Sequence, residues 1–312
     1  MQYDKVLVTG GAGFIGSHTV DALLKEDASV WVLDDMSTGS PANLRASKKD
    51  RKFHLRRGSV LQHNKVRELT RKVEAIIHLA AIVSPYLSVK KPHLVNAVNV
   101  TGTVNVLNAA LKAKTERVIF ASSSSVYGNQ AHLPIAEDNP LHPITPYGAS
   151  KLSGEKYCEV YNRTYGLSTV SLRYFNIYGE RQSANPYSGV IAIFSKQLTT
   201  GSTPTIYGDG SQTRDFTHVS DVVQANLQAL NAKAGAGNAF NVGTERATSI
   251  TQLLFLLAKL TGKPKITPNH SSARAGDIQD SYADITRAKK FLAFEPKVEL
   301  EQGLTSLLAS IS

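Results

Sequence analysis

Residues 121–128 read ASSSSVYG, with four consecutive hydroxyls behind a short apolar run, an aromatic and a glycine beyond, and no acid among them. A strand ending in alcohols can donate or share protons at a substrate oxygen, but brings no carboxylate to act as acid or base. Nearer the N-terminus, VTGGAGFIGSH sets Gly10, Gly13 and Gly16 at three-residue spacing between strand-like and helix-like patterns. Such a turn needs conformations open to glycine, and it lets a diphosphate approach the backbone at a helix N-terminus. VLDD then supplies Asp34, with Asp35 beside it, at the spacing where an acid meets the adenosine ribose of a dinucleotide. A carboxylate there repels the extra phosphate of NADP, so NAD is the expected cofactor.

The elements that must position these groups follow from periodicity. KVLVTG (5–10), SVWVLDD (29–35), AIIHLAA (75–81), RVIFASS (117–123) and STVSLRYF (168–175) read as strands. Helical patterns cover 14–26, 92 to about 113, and about 147–165. Strands separated by crossover helices build a parallel sheet with helices on both faces. The expected fold is α/β, a Rossmann-type doubly wound parallel sheet with a smaller α/β C-terminal substrate domain. The second half is less regular, with turn signals at 207–212 and 234–238 and helical patterns at 219–232, 249–261 and 299–310. With no repeat and no low-complexity linker, the second part is expected to pack tightly on the first.

Composition narrows the class. The 312 residues are 42% hydrophobic and 19% charged, ordinary for a globular protein. No segment reads as the roughly 18 uncharged apolar residues of a membrane helix, and the N-terminus shows no signal peptide, so a cytoplasmic location is expected. The single cysteine, Cys158, excludes an intramolecular disulfide and reads as packing. The net charge of +10 favours anionic partners. Its densest stretch, RASKKDRKFHLRR (45–57), reads as a solvated surface, with no accompanying nucleic-acid signature. His78 reads as a satisfied core histidine.

Taken with YGASK (147–151), these motifs resemble the extended short-chain dehydrogenase/reductase family, and within it the branch of the UDP-glucose and UDP-N-acetylglucosamine 4-epimerases. The resemblance runs through TGGAGFIG, HLAA (78–81), NVTGT (99–103), SSSSVYG, YGASK, RYFNIYG (173–179), TRDFTHVSD (213–221), NVGT (241–244) and GDIQDSYAD (276–284). It implies a catalytic Tyr147 with Lys151 one helical turn later, on the same face. An ammonium beside the phenol, helped by a positive nicotinamide, favours the phenolate and lowers its pKa from about 10. Lys151 would also hold the nicotinamide ribose. The working alcohol would be Ser123, four residues before Tyr127, with Ser122 and Ser124 as support. Related dehydratases and decarboxylases carry acids where this chain has Ser124 and Ser125, so elimination lacks its acid and base and epimerisation remains.

The resemblance further implies cofactor contacts from Phe14, Ile15, Ser59, Val60, Leu79, Ala80, Ala81, Asn99 and Tyr174. On the substrate side it implies Asn176 near the diphosphate, Arg214 and Arg274 gripping it, Asp277 on the uridine ribose and Tyr207 near the uracil. Ser281 stands where a large gatekeeper would exclude an N-acetyl group, so acetylated UDP-sugars are expected to be accepted. Three positions depart from the family pattern: Ser59 for an acid near the adenine, Val83 for a lysine, and Ala275 for a proline. The cofactor domain is expected to hold residues 1–172 with roughly 214–243, and the nucleotide-sugar domain 173–213 and 244–312. A homodimer through a four-helix bundle from 92–113 and 147–165 is expected, with neither nucleic acid nor membrane insertion. Other readings are a UDP-uronic acid 4-epimerase with the same catalytic set, or a non-catalytic NAD-binding regulator.

Overall fold

A computed structural model describes residues 2–182, 189–273 and 278–311. In chain order the strands are β1 (Lys5–Thr9), β2 (Ser29–Asp34), β3 (Phe53–Arg57), β4 (Ala75–His78), β5 (Arg117–Ser123), β6 (Ser168–Tyr174), β7 (Asn176–Tyr178), β8 (Thr205–Tyr207), β9 (Thr213–Arg214), β10 (Phe216–His218), β11 (Ala239–Val242), β12 (Thr248–Ser249), β13 (Asn269–Ser271) and β14 (Asp280–Ser281). The helices are α1 (Phe14–Lys25), α2 (His63–Thr70), α3 (Pro85–Lys90), α4 (Pro92–Asn96), α5 (Gly102–Ala113), α6 (Pro146–Tyr165), α7 (Val190–Thr199), α8 (Val219–Asn231), α9 (Ile250–Leu260), α10 (Thr286–Leu292) and α11 (Leu300–Ile311).

Seven strands form one parallel sheet in the order β11-β6-β5-β4-β1-β2-β3. Its strand order reverses between β1 and β4, and a doubly wound sheet opens its ligand crevice there, beyond the strands' C-terminal ends. The two faces are built by alternation along each strand. Val6 and Val8 of β1 join Val30, Val32, Ile77 and Ile119 in the core under α1 and α8. Leu7 between them joins Leu33, Ile76, Val118 and Phe120 in the core under α2, α5 and α6. A third cluster, Phe194, Leu198, Leu253, Leu257 and Leu304, unites α7, α9 and α11 away from the sheet. This matches the Rossmann-type architecture expected from the sequence.

Two expectations differ from the structure, and the solvated reading of 45–57 agrees with it. The segment Pro92–Ala113 runs through α4, a π-helical turn at Ala97–Thr101 and α5, and is long and apolar enough, by length and composition, to cross a membrane. Linear reading missed it because Asn and Thr residues interrupt the apolar run. Val95, Val106 and Leu107 on this rod are fully buried. The basic stretch 45–57 crosses two short turns and edge strand β3, where His54, Leu55, Arg56 and Arg57 are exposed. Sequence reading had also passed over α2, α3, α7 and α10, all of ten residues or fewer. Elements that short carry few turns of periodicity to recognise.

Candidate active site

The glycine turn begins where β1 ends. Gly10 has φ +73°, and its N–H donates to Leu33 O at 2.8 Å. A Cβ there would lie 2.8 Å from Ala80 N. At Gly16 a Cβ would come within 2.1 Å of Gly10 O, so only hydrogen lets α1 close on the turn. Gly13 differs: a Cβ there would meet Gly10 O at 3.2 Å and nothing else within 4 Å. Gly13 caps α1 without a side-chain hydrogen bond, so the first amides of the helix face an open space suited to an anion. Half-buried Phe14 and Ile15 form the first turn.

At the end of β2, buried Asp34 accepts from Ala12 N at 2.9 Å and Met36 N at 2.8 Å. Burial raises its pKa against those two hydrogen bonds. The carboxylate is thus aimed by the glycine turn itself, whereas Asp35 is exposed and accepts from Ser37 N. The cradle and the fixed acid at its rim fit a dinucleotide. Leu79 N donates to Thr9 O and Ala80 N to Thr9 Oγ1, which keeps 79–81 against the turn. His78 bonds Thr9 Oγ1 and Thr103 Oγ1 at 2.6 and 3.0 Å, and burial pushes its pKa down to about 3. It is a satisfied core histidine. Asn99, in the π-helical turn, clasps both backbone groups of Ile82 and donates to Ser150 Oγ. Ser59 Oγ accepts from Leu61 N, and buried Val60 packs on Gly102. Tyr174 donates its hydroxyl to Asn226 Oδ1 at 2.6 Å within the core.

The serine run ends β5, one strand beyond β4. Its members part company. Ser123 Oγ donates to Ser125 Oγ at 3.1 Å and accepts from Ser125 N at 3.2 Å. Ser122 donates to Glu155 Oε1 in the interior. Opposite them, Thr145 caps α6 by accepting from Gly148 N, with Pro146 at the first turn. Gly148, whose Cβ would lie 2.5 Å from Ser125 O, lets the helix close on the serine turn. Tyr147 and Lys151, one turn apart on α6, and Ser123 at the end of β5 are all buried. Burial pushes Tyr147 up to about 12, and the nearby Ser123 hydroxyl works the other way. Lys151 Nζ donates to Ala121 O at 2.8 Å, and burial lowers its pKa to about 8 while Glu155 opposes the fall. Without the nicotinamide, burial is the larger influence on the phenol. The Ala121 carbonyl fixes the position of the Lys151 amine.

Behind this group lies a network the sequence reading missed. Glu155 receives Arg173 Nε and Nη2 at 2.9 and 2.8 Å, with both side chains 5% exposed. Arg173 Nη1 donates to Tyr127 O–H and to Glu137 O, and the Tyr127 hydroxyl donates to Asn241 Oδ1. The spacing Tyr147, Lys151, Glu155 was a readable signal, since three residues at four-residue steps share one helix face.

On the substrate side, Asn176 opens β7, half-buried, with its N–H on Asp215 O. Arg214 and Ser281 are partners in the parallel β9–β14 register, and Ser281 is buried. Arg214 Nη1 donates to Thr213 O and Gln279 O. Tyr207, 37% exposed, ends β8 and accepts from Gln212 Nε2 at its carbonyl. Arg274 and Asp277, with Ala275, lie outside the described residues.

The whole chain is similar to known proteins. A UDP-glucose 4-epimerase of Mycolicibacterium smegmatis is 41% identical over 302 residues, covering 96% of each chain. The structure of a Thermotoga maritima UDP-glucose 4-epimerase with UDP-glucose superposes with a TM-score of 0.93 at 38% identity over 98% of both chains. A UDP-N-acetylglucosamine 4-epimerase of Methanobrevibacter ruminantium, in complex with UDP-N-acetylmuramic acid, gives 0.95 at 32% identity, covering 100% of this chain and 99% of the other. The NAD dependent epimerase/dehydratase family profile matches residues 6–243, and the chain belongs to that family.

Proposed function

We propose that the protein is an NAD-dependent 4-epimerase of UDP-sugars, acting on UDP-GlcNAc/UDP-GalNAc, UDP-Glc/UDP-Gal or both. The observation that carries this is the burial of Ser123, Tyr147 and Lys151 at the end of β5 and the start of α6, in the same parallel sheet as the glycine turn of β1, with hydroxyls at Ser124 and Ser125 where elimination would need acids. The glycine turn and Asp34 would hold NAD, which would supply the acceptor and donor of the C4 hydride. Tyr147 takes the proton of the C4 hydroxyl, and Ser123 shares it along their hydrogen bond. Lys151 is placed to hold the nicotinamide ribose, and its positive charge favours the phenolate that burial opposes. Asp34, aimed by Ala12 N and Met36 N, holds the adenosine ribose.

With C4 oxidised to a ketone, the sugar turns about its diphosphate, held by Arg214 and Arg274 with Asn176 nearby. Guanidinium groups suit this because they give permanent, forked donors to phosphate oxygens. Asp277 and Tyr207 take the uridine. Tyr147 then returns the proton to the inverted alcohol, so nothing is consumed. The cofactor part is residues 1–172 with roughly 214–243, and the sugar-nucleotide part the remainder. We place the protein in the cytoplasm, as one buried thiol and these two anionic ligands suggest.

The unit is a homodimer. Leu94 on the 92–113 rod and Tyr157 and Val160 on the adjoining α6 are 45, 41 and 50% exposed, on two helices that two copies would pack as a four-helix bundle. The test of the function is incubation with NAD and, separately, UDP-Glc, UDP-GlcNAc and UDP-GlcA, with products resolved by chromatography. A 4-epimer of either neutral sugar is expected. Conversion of UDP-GlcA alone would make it a uronic acid epimerase, and conversion of none would leave a non-catalytic NAD binder.

A further inference from the structure

The reaction as read above uses Tyr147, Ser123 and Lys151, and leaves unexplained a fully buried pair of opposite charges one turn further along α6. Tyr147, Lys151 and Glu155 are 5, 4 and 5% exposed. They stand at successive four-residue steps on one helix face, so neighbouring side chains rise from positions roughly 6 Å apart. Glu155 is completely engaged, by Ser122 Oγ on one oxygen and by the forked Nε and Nη2 of Arg173. Ser122 is the chain neighbour of Ser123, so the same carboxylate anchors the strand end that presents the reacting alcohol.

From Arg173 the network continues through the Tyr127 hydroxyl to Asn241, whose Nδ2 donates to Ile135 O and Asp284 O. Ile135 N in turn donates to Tyr282 O. The chain of bonds thus ends on the residue after Ser281.

Stability alone is a weak account of this pair. Replacing a buried ion pair by apolar side chains of similar volume is often neutral or stabilising. Chemistry is a stronger account. Lys151 is a buried ammonium with one hydrogen bond, to Ala121 O, and the Phe120 ring 5.3 Å away. The titratable and charged groups about it are Tyr147 and Glu155 from its own helix, His78 from β4, and Arg173 from β6 behind Glu155. His78 is held neutral by burial, β5 offers the carbonyl and the ring, and the π-helical turn offers the Asn99 amide. Among the described residues, Glu155 is the one that brings negative charge to the amine's side.

We propose that Glu155, locked by Arg173 and Ser122, is a positioning residue for the reaction that keeps Lys151 an ammonium at the reacting group. The proposal rests on the reading of Tyr147 and Lys151 as the proton-handling pair. Arg173 makes the carboxylate permanent and fixes its direction, and Ser122 couples it to the strand that carries Ser123.

The test is the pH profile of kcat in Glu155→Gln, with bound NAD and melting temperature measured alongside. Loss of the ammonium is the alkaline limb of that profile. Removing a charge that acts on the amine from one helical turn away, at an effective dielectric near 20, moves that limb to lower pH by about one unit. Glu155→Asp keeps the charge and holds the limb within about half a unit of wild type. A merely structural role would lower the melting temperature of both variants and leave the limb where it was, and that result overturns the proposal. Should Glu155→Gln not fold, Glu155→Gln/Arg173→Met removes both charges together and must show a smaller displacement in the same direction, because the carboxylate lies nearer the amine than the guanidinium behind it; no displacement overturns the proposal. Lys151→Met in parallel separates the two readings. Full activity in it sinks the assignment of the catalytic pair, whereas inactivity with an unmoved limb in Glu155→Gln sinks only the role of Glu155.

Discussion

Gly13→Ala separates cofactor binding from folding. Gly13 sits at φ −72° and ψ −179°, which alanine adopts without strain. Its added methyl would meet one atom, Gly10 O, at 3.2 Å, and otherwise project into open space before α1. A few tenths of an ångström of movement relieves the contact, so the melting temperature without NAD should change by no more than a few degrees, about 1 kcal/mol. The same methyl stands where a diphosphate would rest on the helix amides. An overpacked methylene costs about 1–3 kcal/mol, and if this falls entirely on the complex, NAD binds roughly 5- to 150-fold more weakly. Calorimetric titration of NAD and thermal melting of the NAD-free protein give the two numbers. Gly16→Ala is the contrast, because its methyl would stand 2.1 Å from Gly10 O and must damage fold and binding together. Unchanged NAD affinity in Gly13→Ala would refute the placement of the diphosphate over that glycine.

Three further outcomes are expected. Ser281→Tyr should lose turnover of UDP-GlcNAc by about tenfold or more while UDP-Glc is nearly spared, since one added ring conflicts with an acetyl group; equal loss of both in a substrate assay would remove Ser281 as gatekeeper. Lys151 falls from 10.5 to about 8 on folding, so between those values the unfolded chain holds a proton that the native one lacks, and the amine's contribution to stability rises with pH across about 8–10.5 and is lost below. Lys151→Met should lack that rise in melts compared with wild type across the window, and a parallel pH dependence in both proteins would contradict it. Leu94→Glu with Val160→Glu should turn a dimer into a monomer in light scattering, because two charges per subunit would be buried unpaired in the bundle; an unchanged mass would exclude that face.

The cofactor half was the more legible part in sequence. Alternation in β1 and β2, the glycine spacing and Asp34 are local features, each set by a strand, a turn and a helix start within one stretch of chain. Asp34's two amide partners are both within the same βαβ unit, so sequence could place it. The sugar half was harder because β9 and β14, which bring Arg214 beside Ser281, are two-residue strands far apart in the chain, with no periodicity to read. The serine run shows the limit most clearly. Type and spacing named four alcohols, but only the structure shows that Ser122 turns inward to Glu155 while Ser123 turns to Ser125 and Tyr147. The phenol's high pKa was likewise hidden, because burial is a property of the assembled fold.

The claim that a C4 hydride leaves and returns within one site is tested most directly with a UDP-sugar deuterated at C4. Incubated with the protein and NAD in ordinary water, it should give the 4-epimer with deuterium still at C4, and Tyr147→Phe should give almost none. A 4-epimer whose C4 label has washed out into solvent, or undiminished epimer from Tyr147→Phe, would contradict the account.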